Sequence, residues 1–170
     1  MCSSDLMDMT VRWDGEKLLQ TIIVNEKKVA EFYRNIAAKA DKGELFFEKL
    51  AQDEERHEQI YAALLEKMQG NTLLQLDTDD ADYMDLLLQF NSTESFDRIL
   101  HDAKRIWGKQ QIYELAERVE RDAVTFVTEL MRLYPDLAPE QMEIILKEEK
   151  KHLAMILERQ RDFALGAGGM

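Results

Sequence analysis

Asp53-Glu54-Glu55-Arg56-His57 interrupts a stripe of side chains that should be apolar throughout. Around it the apolar residues recur at alternating steps of three and four: Phe47, Leu50, then Glu54 and His57, then Tyr61, Leu64 and Met68. That rhythm is the inner stripe of a bundle helix, and Glu54 and His57 occupy two consecutive inner positions. Residues three apart share one helix face, so both side chains point into the core. A buried carboxylate costs several kcal/mol unless something compensates it. A metal ion would compensate both residues, because it takes carboxylate oxygen and imidazole nitrogen as ligands.

The pattern returns about 95 residues further on. Leu50-Ala51-Gln52-Asp53-Glu54-Glu55-Arg56-His57 aligns with Ile145-Leu146-Lys147-Glu148-Glu149-Lys150-Lys151-His152. Asn25-Glu26-Lys27-Lys28 aligns with Val119-Glu120-Arg121-Asp122, and Phe32 with Phe126. Glu26 and Glu120 are single glutamates on otherwise apolar seams: Leu19, Ile22, Val29, Tyr33, Ile36 and Ala40 for the first, Tyr113, Ala116, Ala123, Val127 and Leu130 for the second. Glu26 precedes Glu54 by 28 residues and Glu120 precedes Glu149 by 29. In an antiparallel helix pair those spacings put one Glu and one Glu-x-x-His at nearly the same level. Two such hairpins make a four-helix bundle in which Glu26, Glu54, His57, Glu120, Glu149 and His152 converge at mid-height. A single Glu-x-x-His on so acidic a chain is most simply a solvated helix face. Two of them, each matched to a seam glutamate at nearly equal spacing, point to a site for two divalent ions.

The composition suits this architecture. With 45% apolar and 33% charged residues but only seven Gly and two Pro, the chain has the balance of an all-α protein, and 170 residues suffice for one domain with a sizeable core. A single domain over residues 1–170 is expected, with core helices at about 15–40, 44–69, 109–133 and 139–164. Asp41-Lys42-Gly43 and Tyr134-Pro135-Asp136-Leu137-Ala138 break the helices, and Pro139 suits a first helical turn. Residues 70–108 form a connection long enough for a crossover between the two hairpins. It holds an amphipathic piece from Ala81 to Phe90 and a further helix expected from Glu94 to Trp107, which Gly108 kinks or ends. The last core helix is expected to turn Met142, Ile145, Ile156 and Phe163 inward, with Arg159 as an exception, and to give way to a frayed Gly166-Ala167-Gly168-Gly169.

A formal net charge of −12 argues against nucleic acid and against an anionic membrane surface as partners. The single cysteine, Cys2, leaves no intramolecular disulfide and no cysteine metal site, which fits a reducing compartment. No apolar run approaches a membrane span, and the first residues lack the basic-then-apolar pattern of a secretory signal. A cytoplasmic location is expected. Two accessory candidates lie beside the six convergent residues. Glu117, one turn before Glu120, is either a seventh, mobile carboxylate or a solvated helix residue. Tyr33, two turns after Glu26, is either a hydrogen-bond partner or radical relay at the site or a structural core tyrosine. His101 is expected at the surface.

The segments Glu26–Tyr33 (EKKVAEFY) and Glu120–Phe126 (ERDAVTF), together with Glu54-x-x-His57 and Glu149-x-x-His152, resemble those of rubrerythrin-type members of the ferritin-like superfamily, over about residues 15–164. The resemblance implies a ferritin-like four-helix bundle with a long crossover, whose six Glu and His residues hold two iron ions per chain, a manganese or mixed-metal pair being the alternative. It implies a non-haem di-iron centre oxidised by hydrogen peroxide or dioxygen and then re-reduced. The expected function is that of an oxidoreductase reducing hydrogen peroxide. The alternatives are a ferroxidase or iron-handling protein similar to bacterioferritin, a di-manganese catalase, and a scaffolding bundle with a structural metal. Full rubrerythrins carry a rubredoxin domain with four cysteine ligands, which this chain cannot build, so electrons are expected from a separate donor protein. A homodimer is the expected assembly.

Overall fold

The computed structural model describes residues 15–38, 44–68, 78–90 and 108–167. Cys2, His101, the break at 41–43 and the helix expected over 94–107 lie outside the described residues. Five helices account for nearly all of the rest: α1 (Gly15–Ala37), α2 (Glu44–Met68), α3 (Thr78–Phe90), α4 (Lys109–Leu133) and α5 (Pro139–Ala167). The described residues contain no strand, as the all-α composition implies.

Helix ends follow local chemistry. Gly108 precedes α4 in extended backbone, and its N–H donates to Gln111 Oε1 at 3.1 Å, satisfying a group that the helix itself leaves unpaired. At the other end Tyr134 N–H donates to Leu130 O at 2.9 Å, and Pro135 then stops the ladder. Met142 N–H donates to Ala138 O at 3.0 Å and opens α5, with Pro139 in the first turn, where its missing N–H costs nothing.

α1 packs along α2 and α4 along α5, and α2 meets α5 across the bundle. The apolar side chains gather into two separate clusters rather than one. Leu18, Leu19 and Ile22 from the start of α1 meet Tyr61 and Leu64 from the end of α2, Phe126 and Leu130 from the end of α4, and Met142 and Ile145 from the start of α5. Met84 of α3 seals this cluster. At the opposite end Phe32 and Ile36 of α1 meet Phe47 and Leu50 of α2, Tyr113 and Ala116 of α4, and Ile156 of α5. The ends of α2 and α4 therefore lie together, so these two helices run parallel. Two successive core helices that run parallel are the mark of the expected four-helix bundle with a crossover.

The structure corrects the expected seams in places. Phe163 is exposed rather than inward, and α5 continues through Gly166 to Ala167 instead of ending near 164. Phe163 stands at the level of Lys109, the first residue of α4, whose ammonium lies 5.7 Å from the ring centre. At that rim the partner helix has just begun and offers no inner face. Arg159, one turn earlier, stays outside and lays its guanidinium over the Phe46 ring at 3.9 Å, which explains a cation on an otherwise apolar stripe. Val29, Met68 and Ala123 are half-buried, and Ala30 rather than Val29 is inside. A strict three-four count drifts around a helix of 3.6 residues per turn.

Ala138 has a positive φ of 43° directly before Pro139. A Cβ in the left-handed region crowds the following carbonyl, and a β-branched side chain aggravates the clash. Ala138→Val should lower stability in urea unfolding by about 1–3 kcal/mol. Ala138→Gly should stay within about 1 kcal/mol of the parent, because relief of the clash offsets the added freedom of the unfolded chain.

Candidate metal centre

Between the two apolar clusters lies a polar layer. Glu26, Glu54, His57, Glu120, Glu149 and His152 are all buried there, none more than 8% exposed. They form two groups of four: Glu26, Glu54, His57 and Glu149 in one, and Glu54, Glu120, Glu149 and His152 in the other. The ligand-type atoms within each group lie within 4.8 Å of one another, so each group could hold a metal ion.

Glu54 and Glu149 belong to both groups, and each divides its two oxygens between them. Glu54 Oε2 lies 3.3 Å from His57 Nδ1, while its Oε1 lies 3.1 Å from His152 Nδ1. Glu149 Oε1 lies 2.9 Å from His57 Nδ1, while its Oε2 lies 3.6 Å from His152 Nδ1. Glu26 Oε2 stands 4.0 Å from His57 Nδ1, and Glu120 Oε2 stands 3.5 Å from His152 Nδ1. The shorter separations, those of Glu54 and of Glu149 Oε1, resemble those of neighbouring donors around one ion, which are about 3.0–3.4 Å for bonds of about 2.1 Å. The approaches are close but misaligned for hydrogen bonding. Glu54 Oε1, Glu120 Oε2, both Glu149 oxygens and the Nδ1 atoms of His57 and His152 have no hydrogen-bond partner among the described residues. Six buried lone-pair atoms aimed at shared points fit metal ions.

The outer nitrogens of the imidazoles are engaged, and the partners cross between hairpins. His57 Nε2 of α2 meets Glu148 Oε2 of α5 at 2.9 Å, and His152 Nε2 of α5 meets Asp53 Oδ2 of α2 at 3.3 Å. Carboxylates on Nε2 hold the proton there and leave Nδ1 free to ligate. Arg56 ties the two together, donating to Asp53 Oδ1 at 3.1 Å and to Glu148 Oε2 at 2.6 Å. Lys49 adds a bond to Asp53 at 2.7 Å. The seam pattern in the sequence misses Asp53 and Glu148, because adjacent residues on a helix do not share a face. The aligned octets hold the missing signal, an acidic residue directly before each shared glutamate.

Of the accessory candidates, Tyr33 is at the site: its buried hydroxyl donates to Glu120 Oε1. Glu117 lies outside both groups, a quarter exposed, accepting from Arg121 Nε at 2.8 Å.

The metal-free layer balances its charge with protons. Burial, then the carboxylates of Glu54 and Glu149, raise Glu26 well above the usual range. Burial likewise pushes Glu120 up to about 8 against the pull of His152, with Glu54 and Glu149 adding to the rise. Burial alone would lower the pKa of His57, but Glu149 and Glu54 facing it push it up to about 12. His152 is raised in the same way by Glu120, Glu149 and Glu54. Burial alone would raise Glu54, yet His152 and His57 bring it down to about 2. Asp53 follows the same logic: Lys49 and His152 outweigh its burial and hold it low.

Groups with raised folded values bind more protons in the folded chain than in the unfolded one. Glu26, Glu120 and both histidines therefore weaken the metal-free fold as pH rises from the unfolded carboxyl value of about 4.5 through about 8. Glu54 and Asp53 are depressed and act oppositely, losing their contribution as pH falls below about 4. The urea midpoint of metal-free protein should peak near pH 5 and decline steadily to pH 8. A flat or rising midpoint over that interval would mean that the glutamates are solvated.

The rubrerythrin family profile matches residues 17–159, a span that takes in all six convergent residues and both acidic partners of the histidines. No curated protein and no solved structure matches the chain. With its helical bundle, its buried carboxylate and histidine layer and a match over most of its length, the chain belongs to the rubrerythrin family.

Proposed function

We propose that this chain is a non-haem di-iron oxidoreductase that reduces hydrogen peroxide with electrons from a separate donor protein. The supporting observation is the division of Glu54 and Glu149 between two donor groups. Carboxylates shared in this way would hold two ions close enough to act together. Glu26 and His57 would complete one half-site, and Glu120 and His152 the other. Two redox-active ions would supply the two electrons that, with two protons, convert hydrogen peroxide to water.

The chain's own residues prepare the site for this chemistry. The apolar clusters above and below exclude bulk water and strengthen every electrostatic interaction between them. Asp53 and Glu148 orient the imidazoles, and Tyr33 steadies Glu120. Arg56, half-exposed, adds positive charge between the two outer carboxylates. Among the described residues no helix is long and apolar enough to cross a membrane, and a cytoplasmic setting suits a chain with one cysteine.

One observation favours a second reading. Glu117 is paired with Arg121, so among the described residues the donor set stops at six, as in a ferroxidase of bacterioferritin type. A manganese pair in the same residues would make the chain a di-manganese catalase, and metal content separates that outcome.

Elemental analysis after anaerobic loading with ferrous iron should give two ions per chain. Glu54→Ala should lose both, whereas His57→Ala should chiefly weaken one. A single ion, or none, in the parent chain would end the di-metal proposal. In stopped-flow oxidation of the reduced protein at matched concentrations, hydrogen peroxide should react at least about tenfold faster than dioxygen. Dioxygen reacting as fast, with iron turning over beyond the stoichiometric pair, would assign the chain as a ferroxidase.

A further inference from the structure

The buried atoms without hydrogen-bond partners in the described residues include one that belongs to neither donor group. The atoms on Glu54, His57, Glu120, Glu149 and His152 all belong to residues of the two donor groups. The remaining atom is the hydroxyl of Tyr61, which offers a proton as well as lone pairs. Tyr61 is fully buried on α2, one turn beyond His57, where the apolar cluster borders the polar layer. Burial, and then the carboxylates of Glu26, Glu149 and Glu54, raise its pKa well above the phenol range, so it remains an O–H donor. A buried donor without an acceptor destabilises the fold, and native chains seldom keep one without use.

The two half-sites differ in this respect. On the Glu120–His152 side the phenol of Tyr33 is committed to Glu120. Tyr61, one turn beyond His57, packs in one cluster with Ile22, one turn before Glu26, and its phenol has no hydrogen-bond partner among the described residues. Neither tyrosine is inherited from the internal repeat. Tyr33 aligns with Val127 and Tyr61 with Ile156, both buried and apolar. A phenol at position 61 thus puts a polar group where the repeat is content with a hydrocarbon, and the described residues give it no hydrogen-bond partner.

We propose that Tyr61 donates a hydrogen bond to the oxygen substrate, received on the Glu26–His57 side of the centre. This rests on the peroxide-reducing function proposed above. The acceptor must be small, because Ile22, Leu64 and Phe126 pack in the same cluster as Tyr61. It must also present a lone pair to a donor in a dry layer, which hydrogen peroxide does with either oxygen. Tyr61 is on this assignment a catalytic residue, whereas Tyr33 is a positioning residue acting through Glu120.

Azide is a suitable probe, a small anion that accepts hydrogen bonds and binds ferric iron. Titrated into ferric-loaded protein, it should bind about five- to tenfold more weakly to Tyr61→Phe than to the parent. The KM for peroxide should rise in Tyr61→Phe by a similar factor. Metal-free Tyr61→Phe should unfold at the same urea concentration as the parent or higher, since the change removes a hydroxyl with no partner. Equal azide affinity in Tyr61→Phe and the parent would overturn the assignment while leaving the di-iron function standing. So would a destabilised metal-free variant, which would reveal a protein partner for the hydroxyl, or weakened iron uptake, which would show Tyr61 acting through Glu26. Failure of the parent chain to load iron overturns the function itself, and with it the substrate assigned to Tyr61.

Discussion

Four glutamates in a dry layer between apolar clusters must be matched by positive charge. Everything else in the bundle can be derived from that constraint. The metal-free chain meets it with protons, which His57 and His152 retain as imidazoliums and Glu26 and Glu120 retain as carboxyls. Two divalent cations carry the same total charge as those protons. Exchanging one set for the other would leave the net charge of the layer unchanged. The charge balance of the metal-free layer therefore depends on pH.

The same constraint fixes the register of the helices. Apolar stripes alone permit one helix to slide past another by a turn at modest cost, since leucine-like residues replace one another. A slide by one turn here would separate a carboxylate from its imidazole and leave both buried and uncompensated. The crossed bonds from Asp53 to His152 and from Glu148 to His57, joined by Arg56, add a second set of links that only one register satisfies. The polar layer sacrifices apolar contact area but specifies one alignment, as a polar residue on the seam of a coiled coil does.

Much of this was legible in the sequence because a Glu or His on a regular apolar seam is conspicuous, and because the repeat shows each departure twice. The meeting of Glu26, Glu54, His57, Glu120, Glu149 and His152 follows from helix periodicity and hairpin length alone. Asp53 and Glu148 were hidden because they sit off the inner face and matter only once two hairpins dock, a relation that no single-helix pattern encodes. Phe163 misled for a related reason. Periodicity tells which face a residue takes, but not where the opposing helix begins, and Lys109 marks that beginning. The parallel run of α2 and α4 was permitted by the length of the connection but fixed only by which apolar residues meet at each end.

The division of Glu54 and Glu149 has a consequence for how the chain comes together. Neither hairpin owns a complete half-site: α1 and α2 bring three donors to one and lend a single oxygen to the other, and α4 and α5 do the reverse. That is the interface of a two-fold dimer, with each copy reaching into the site of its mate, although here the copies are joined in one polypeptide. The join turns a meeting of two molecules into a local event at high effective concentration. It also frees the halves from being identical. Tyr33 and Tyr61 both lie in the first hairpin, opposite Val127 and Ile156 in the second, an inequality that a dimer of identical hairpins could never acquire.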